Sequence, residues 1–274
     1  MRYKLTKEEI ESYRENGFVI IHDFLNAEEL ATWQTAMDTA VKNRAGRKFP
    51  HSEIKTGESD GINEDANYFG KVFDQIINLW QTDEQMKKIM LDQRLGEMAA
   101  NLAQADGIRI WHDQSLVKQP WANPTAWHLD TPFWSFDNRE ALSIWVALDD
   151  VTTQNGCMYF MPGSHKETTL DNLGIGTNLG DVFNKYPKYG SHQPVKAEIK
   201  AGSCTFHNGL CLHGAGVNMT PGLRRAMTCA YMPDGSIFNG KKNVIPDEKF
   251  EKLTIGDLMN DDEQNPLIYH KKWA

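Results

Sequence analysis

The chain has 274 residues, 40% hydrophobic and 24% charged, which is enough apolar content to fill the core of a folded domain. Its formal net charge of -8 argues against nucleic acid or an anionic membrane as a main partner. No apolar run has the length of a membrane span and the first residues are charged, so we expect no signal peptide and a cytoplasmic location. The four cysteines lack Cys-x-x-Cys spacing and lie in apolar runs, which predicts buried thiols in a reducing compartment.

The first part of the chain is predicted to be mainly helical. Thr6 with Glu9, and Asn26 with Glu29, have capping-box spacing, which predicts helices from about residue 7 to 16 and from about 27 to 43. A short buried strand at residues 18 to 21 separates them. Residues 44 to 67 are polar and predict a loop. Helical periodicity then covers residues 69 to 81 and 82 to 105, with an interruption near residues 92 to 94.

From Ile108 onward the pattern changes to short strands separated by turn signals, which is typical of a sandwich or barrel. We predict a mainly β fold with flanking helices, a double-stranded β-helix (jelly roll, cupin-like) that encloses a cavity. One domain is expected over residues 1 to 274. It would consist of a helical support at about 1 to 105, a jelly-roll core at about 106 to 233, and a tail at 234 to 274 that packs on the core.

A possible metal motif lies at His128-Leu129-Asp130. Side chains alternate along a strand, so His128 and Asp130 would share a face and could bind one metal together with a second histidine, His213. Two imidazoles and one carboxylate form the facial triad of ferrous iron enzymes. An isolated His-x-Asp pair is more often a surface hydrogen bond, so the motif needs support from the rest of the chain.

That support comes from the segment after His213. Asn, Thr, Pro and Gly over residues 218 to 222 predict a hairpin turn between two apolar runs. With the turn centred between residues 218 and 219, Arg224 would lie opposite His213 and face inward, while Arg225 would face away. A guanidinium beyond the metal can bind one carboxylate of a dicarboxylate co-substrate. The alternative is that both arginines are solvated on an edge strand.

Other histidines compete with these ligands. His112 directly precedes Asp113, so the two side chains should diverge on a strand. His165 lies in a Pro-Gly-Ser-His turn, where capping or support of another residue is expected. His207 is the main rival of His213 because six residues preserve strand parity, although Gly209 should interrupt the strand.

Taken together, His128-x-Asp130, His213 and Arg224 resemble the phytanoyl-CoA dioxygenase family of iron(II)- and 2-oxoglutarate-dependent oxygenases. Three further segments are similar to that family. They are the opening helix and strand, the strand at residues 142 to 150, and the Asn-Gly and Pro-Gly-Ser-His-Lys sequences within residues 155 to 166. The resemblance runs from about residue 5 to 232. It implies Fe(II), 2-oxoglutarate and O₂ as cofactor and co-substrates, with ascorbate supporting the reaction in vitro.

The resemblance also implies roles for individual residues. His128, Asp130 and His213 would bind the metal, and Arg224 and Trp145 would bind 2-oxoglutarate. Lys71, which is alternatively a solvated lysine, and Gln114 are further candidates for the co-substrate. Many family members carry a serine where this chain has Ala215, so one hydroxyl contact would be missing. The aromatic residues near the motif either line the substrate pocket or pack in the core. The expected substrate pocket comprises Trp127, Phe133, Trp134, Phe136 and Lys118.

Two segments are candidates for controlling access of the substrate. Residues 167 to 192 form a long stretch rich in Gly, Asn and Asp, which we expect to be a lid. The tail from residue 234 to 274 has too many apolar residues for a solvated end and should pack on the domain or on a neighbouring subunit.

The expected activity is oxidation, chiefly hydroxylation, of an unactivated C–H bond in a small-molecule metabolite, with release of succinate and CO₂. An intact Asp130 favours hydroxylation over halogenation, whereas desaturation, epoxidation and cyclisation stay open. Two other classes also stay open: a cupin-like hydrolase or isomerase using zinc or manganese, which would not need Arg224, and a silent binding module. We expect a monomer or a homodimer.

Overall fold

The computed structural model describes residues 1 to 56, 58, 68 and 70 to 273. Its helices are α1 (Lys7–Asn16), α2 (Ala27–Arg44), α3 (Glu84–Met90), α4 (Gln93–Ala103), α5 (Val182–Lys185) and α6 (Asp247–Phe250). Capping boxes form at Thr6 with Glu9 and at Asn26 with Glu29, so the starts of α1 and α2 agree with the sequence prediction. No helix in the described part of the chain is both long enough and apolar enough to cross a bilayer.

The strands form two antiparallel sheets. They are β1 (Phe18–Ile21), β2 (Asp74–Ile77), β3 (Gly107–Lys118), β4 (Thr125–His128), β5 (Leu142–Ala147), β6 (Met158–Phe160), β7 (Val195–Ala197), β8 (Cys204–Asn208), β9 (His213–Ala215), β10 (Arg224–Pro233) and β11 (Leu267–His270). The larger sheet has the order β1-β8-β5-β10-β3-β11, with β2 also paired to β3, and the smaller has the order β4-β9-β6-β7. Two antiparallel sheets with flanking helices agree with the predicted mainly β fold.

The helices cover one face of the larger sheet, and the other face turns toward the smaller sheet. Strand β5 shows this division: Ile144 and Val146 belong to the apolar core shared with Trp33 of α2 and Met98 of α4. Trp145, between them in sequence, faces the opposite side. Burial of one such large apolar side chain contributes about 1.5–3 kcal/mol. The site described below lies on the inner face of the larger sheet, opposite the face that the helices cover.

The predicted helix over residues 69 to 81 is wrong in the described residues. Residues 74 to 77 form β2, which pairs antiparallel with β3 so that Ile77 lies opposite Gln114. In so short a segment the spacing of apolar residues fits a helix or a strand, and pairing with the long strand β3 decides for the strand. In the predicted loop of residues 44 to 67, an isolated bridge joins Arg47 to Lys55. Residues 57, 59 to 67 and 69 lie outside the described residues.

The predicted hairpin between His213 and Arg224 is also wrong. Strand β9 pairs with β4 and β6 in the smaller sheet, whereas β10 pairs with β3 and β5 in the larger one. The intervening segment crosses between the sheets and is anchored by the Asn218 amide N–H, which donates to the Ala122 carbonyl at 3.0 Å. Turn residues therefore marked a crossover and not a hairpin. The expected orientations still hold, because Arg224 is buried and Arg225 contacts Asp149 on the other face.

The carboxyl-terminal tail packs on the domain, as expected. Strand β11 pairs with β3, and Phe238, Ile245 and Met259 form an apolar cluster with residues of the sheet such as Trp111. Some large apolar side chains of the tail are exposed instead: Ile255, Leu258, Trp273 and Ile237 are 72%, 56%, 53% and 48% exposed. All four cysteines are buried and free, in agreement with the prediction.

Candidate metal centre

The ends of two paired strands and the turn after one of them bring three ligand-type side chains together. His128 ends β4 and lies opposite His213, the first residue of β9. Asp130 is not on the strand, as parity had suggested, but at the start of the 3₁₀ turn Thr131–Phe133. Its backbone N–H donates to the Gly209 carbonyl at 2.8 Å, and the Thr131 N–H donates to the same oxygen at 3.1 Å. A side chain at position 209 would collide with Thr131, so glycine is required for this close approach.

The ligand atoms face one another at distances suited to a shared ion. Oδ1 of Asp130 lies 3.6 Å from Nε2 of His128 and 3.6 Å from Nε2 of His213, and ligand atoms of the three residues lie within 4.8 Å of one another. Nδ1 of His128 is 2.8 Å from the Ala126 carbonyl, and Nδ1 of His213 is 2.9 Å from the Cys211 carbonyl. Each Nδ1–H can therefore donate to a backbone oxygen, which leaves the Nε2 lone pairs directed at the shared position.

Electrostatics favours the protonation states that metal binding needs. Burial and the neighbouring His128 lower the pKa of His213 well below its usual value, so its imidazole is neutral. Burial tends to raise the pKa of Asp130, but the polar groups around it, among them Nε2–H of His207 at 3.2 Å from Oδ2, outweigh burial and lower that pKa well below the usual range. A neutral imidazole and an ionised carboxylate are the forms that bind metal ions.

The second carboxylate oxygen of Asp130 has separate partners. Oδ2 lies 3.2 Å from Nε2 of His207 and 3.3 Å from Oγ of Ser143. His207 is thus near the centre, as the rival of His213, but contacts the carboxylate from its other side. Strand β8 ends at Asn208, directly before Gly209, as expected.

Arg224 lies in the wall of the same cavity as the three ligand residues. It is 2% exposed, and its guanidinium carbon is 5.2 Å from the centre of the Trp145 ring. Nε and Nη1 are buried and have no hydrogen-bond partner among the described residues. Burial lowers the pKa of Arg224 to about 10, which still leaves it charged at neutral pH. A buried, unpaired guanidinium is costly, and a bound carboxylate would compensate for it.

The other residues predicted for the site divide into two groups. Trp145, Gln114, Phe133 and Trp134 line the cavity, as does Ala215, which offers no hydroxyl. The remaining four do not appear on its wall in the described residues: Lys71 lines a separate surface cavity, Trp127 packs on Phe183, Phe136 packs on Trp111, and the Lys118 ammonium donates to the Val72 and Asn123 carbonyls.

Physical reasons explain this second group. Phe136 follows the 3₁₀ turn and enters the core behind Trp134, with which it stacks at 5.6 Å. Lys118 is on the cavity side of β3, but its ammonium is held at 3.1 and 2.6 Å by the two backbone carbonyls that it reaches.

Several polar cavity residues escaped the sequence interpretation. His112 precedes Gln114 with the same parity on β3, and Gln114 Nε2 is 3.3 Å from His112 Nδ1. Strand alternation could have identified His112. Gln75 and Asn243 also line the cavity, but they come from β2 and from the tail, and no local signal marks them.

Comparisons with known proteins agree with this geometry. The family model for phytanoyl-CoA dioxygenase (PhyH) matches residues 13–226. The probable alpha-ketoglutarate-dependent hypophosphite dioxygenase of Stutzerimonas stutzeri is 25% identical, with 82% of this chain and 77% of that protein covered. The structure of the alpha-ketoglutarate-dependent carbocyclase SnoK has a TM-score of 0.76 and 25% identity over 96% of each chain. The epimerase SnoN, solved with Fe³⁺, alpha ketoglutarate and nogalamycin RO, has a TM-score of 0.71 and 25% identity over 96% of this chain and 98% of that one.

Proposed function

The chain belongs to the phytanoyl-CoA dioxygenase family and is a non-haem iron, 2-oxoglutarate-dependent dioxygenase, and we propose that it hydroxylates an unactivated C–H bond of a small-molecule metabolite. Succinate and CO₂ would be the products of 2-oxoglutarate. The observation that carries the proposal is the arrangement of one cavity. His128, Asp130 and His213 converge on a shared position, and the unpaired guanidinium of Arg224 lies in the same wall.

The residues of the chain suit an iron ion and its co-substrate. His128, Asp130 and His213 would hold Fe(II), which with 2-oxoglutarate and O₂ supplies the oxidising chemistry. Arg224 would bind the distant carboxylate of 2-oxoglutarate, with Trp145 packed on its guanidinium. Phe133 and Trp134 would exclude water from the reacting atoms. Ascorbate would maintain ferrous iron in vitro.

The cavity wall supports a small molecule as the substrate. The wall contains aromatic side chains together with uncharged hydrogen-bonding groups such as those of Gln75 and Asn243. The net charge of -8 is our reason for proposing neither a nucleic acid nor a membrane as a partner. The similar structures that are 25% identical include a carbocyclase and an epimerase, so enzymes of this fold reach several outcomes. We favour hydroxylation over halogenation because Asp130 occupies the place that a halide would need, whereas desaturation, epoxidation and cyclisation stay open. A cupin-like hydrolase or isomerase that uses zinc or manganese and no 2-oxoglutarate would have no use for Arg224. The enzyme would be cytoplasmic and a monomer or a homodimer.

The experiment is a turnover assay with Fe(II), ascorbate and 2-oxoglutarate over a panel of candidate metabolites. We expect succinate release that depends on one metabolite, and a product that gains one ¹⁸O atom from ¹⁸O₂ by mass spectrometry. An oxidised product without the added oxygen would replace hydroxylation by desaturation or cyclisation. Metabolite turnover without succinate would favour a hydrolase or isomerase.

The proposed ligands have their own test. His128→Ala and Asp130→Ala should each abolish Fe(II) binding and turnover, because two ligands are too few to hold the ion tightly. Circular dichroism should show that both variants remain folded. Wild-type activity in either variant would remove the ligand assignment.

A further inference from the structure

We propose that His207, together with Ser143, is a positioning residue that holds Oδ2 of Asp130 so that only Oδ1 binds the metal. This inference rests on the proposed function, since it concerns the same centre. It assigns His207 a task that differs from metal ligation.

The two carboxylate oxygens of Asp130 have different surroundings. Oδ1 faces Nε2 of His128 and Nε2 of His213, both at 3.6 Å. Oδ2 is within hydrogen-bond distance of His207 Nε2 at 3.2 Å and Ser143 Oγ at 3.3 Å. An ionised carboxylate only accepts hydrogen bonds, so Nε2–H of His207 and Oγ–H of Ser143 are the donors. Two donors on one oxygen leave the other oxygen free for the ion.

Both donors lie on paired strands of the larger sheet. Ser143 on β5 and His207 on β8 lie directly opposite each other in the larger sheet, and both are buried. The His207 ring also packs against the ring of Phe160, with 5.4 Å between their centres. Asp130 is in a turn, where a side chain is less constrained than on a strand. The sheet therefore sets the orientation of a carboxylate that its own backbone segment does not fix.

A purely structural role does not explain a histidine at this position. Nδ1 of His207 is buried and has no hydrogen-bond partner among the described residues. An unpaired buried polar atom destabilises a fold, whereas phenylalanine or leucine could fill the space without that cost. The hydrogen bond from the other ring nitrogen, Nε2, to Asp130 explains why a histidine is present here.

The consequence concerns the number of positions left on the ion. Two imidazoles and one carboxylate oxygen leave open positions for the co-substrate and O₂. A carboxylate that bound through both oxygens would take one of those positions. His207 and Ser143 thus keep the coordination open by occupying the oxygen that would otherwise compete.

The experiment compares His207→Asn with His207→Gln under anaerobic conditions. A glutamine amide nitrogen can reach about the position of imidazole Nε2, whereas asparagine is too short. We measure Fe(II) affinity by competition with a coloured chelator, and the visible charge-transfer band of the complex of Fe(II) and 2-oxoglutarate. Removal of a partner that supports a metal ligand costs about 10- to 100-fold in metal affinity. His207→Asn should show this loss and an altered band, and His207→Gln should retain most of the affinity and the wild-type band.

Controls separate the possible failures. His22→Asn changes an exposed histidine outside the cavity and outside the candidate lid, and should behave as wild type. Ser143→Ala removes the second donor with minimal change in volume and should also lower the affinity for Fe(II). This variant tests the inference even when His207→Asn fails to fold. Absence of Fe(II) and 2-oxoglutarate binding in the wild type would refute the proposed function. Suppose instead that the wild type binds both. The inference alone would then be overturned if His207→Asn had the Fe(II) affinity of the wild type. It would also be overturned if His207→Gln lost as much Fe(II) affinity as His207→Asn.

Discussion

At the residue scale, Arg224 and Arg225 are sequence neighbours with opposite environments. Arg224 is buried in the cavity wall without a partner for two of its nitrogens in the described residues. Arg225 lies on the other face, where it forms ion pairs with Asp149 and Asp38, both at 2.7 Å. The alternation of a strand produces this contrast. Arg224 is therefore available to an anion in the cavity, whereas the charge of Arg225 is already compensated.

The two arginines form a matched pair for mutation. Arg224→Ala should raise the KM for 2-oxoglutarate about 10- to 100-fold, because a hydrogen bond to a charged group contributes about 1.5–3 kcal/mol. Arg225→Ala loses partly exposed ion pairs and should cost about 0–1 kcal/mol of stability with little change in KM. Turnover of the Fe(II) enzymes at varied 2-oxoglutarate measures the KM of each variant, and denaturant unfolding measures the change in stability. Greater damage from Arg225→Ala would show that the co-substrate binds elsewhere.

Sequence reasoning reached these residues by spacing and not by correct geometry. His128 and Asp130 were paired through strand parity, yet the strand ends at His128 and Asp130 occupies a turn. Their convergence depends on the Gly209 carbonyl, which accepts from the backbone of the turn. A contact between distant segments has no signature in either segment alone. The same holds for His207, whose relation to Asp130 appears only when β8 is placed beside β5.

At the element scale, elements with a strong local signal could be predicted, namely the capped helices α1 and α2 and the four-residue strand β1. Elements that depend on pairing with distant strands could not be predicted. The capping boxes located α1 and α2 because their hydrogen bonds are local. Strand β2 and the crossover after β9 were misassigned, since pairing across the sheet decides both. Elements that form by pairing with strands distant in sequence have only a weak local pattern. This explains why the sequence predicted a helix at β2 and a hairpin after β9.

Two segments reach the cavity and could control access to it. Within residues 167 to 192, Ile175 lines the cavity, while Val182, Tyr186 and Tyr189 are buried against Leu129 and other apolar side chains. From the tail, Asn243 and Val244 line the same cavity. The end of the first segment is therefore anchored, and its part near Ile175 has more exposed residues around it.

We expect the part around residues 170 to 181 to act as the lid. Mn(II) and 2-oxoglutarate, followed by substrate under anaerobic conditions, should slow its hydrogen exchange, because closure over the cavity excludes water. Residues 182 to 189 are already packed and should change little, so they provide an internal control. Hydrogen exchange read by mass spectrometry measures both stretches. Protection that arises around residues 243 to 244 instead would assign the gating role to the tail.

At the scale of the whole molecule, the helices, the two sheets and the tail share packing. Residues of α2, α4 and β11 contribute to one apolar core with strands of the larger sheet. The tail adds β11 to the edge of that sheet beside β3. We therefore propose that residues 1 to 274 form one domain. The sequence suggested this organisation through the apolar content of the tail, although it could not indicate which strand the tail would join.

One domain with one ligand site should unfold and respond to ligand as a unit. We expect a single calorimetric transition for the apoprotein, because no part of the shared core can melt without exposing the rest. Saturation with Mn(II) at about 100 times its Kd, in the presence of 2-oxoglutarate, should add about 2.7 kcal/mol to the free energy of unfolding. For a chain of this size that corresponds to a rise in Tm of roughly 5 °C. Asp130→Ala should melt in one transition without the metal-dependent rise. Two separate transitions, only one of them shifted by the metal, would instead divide the chain into units and place the ion in one of them.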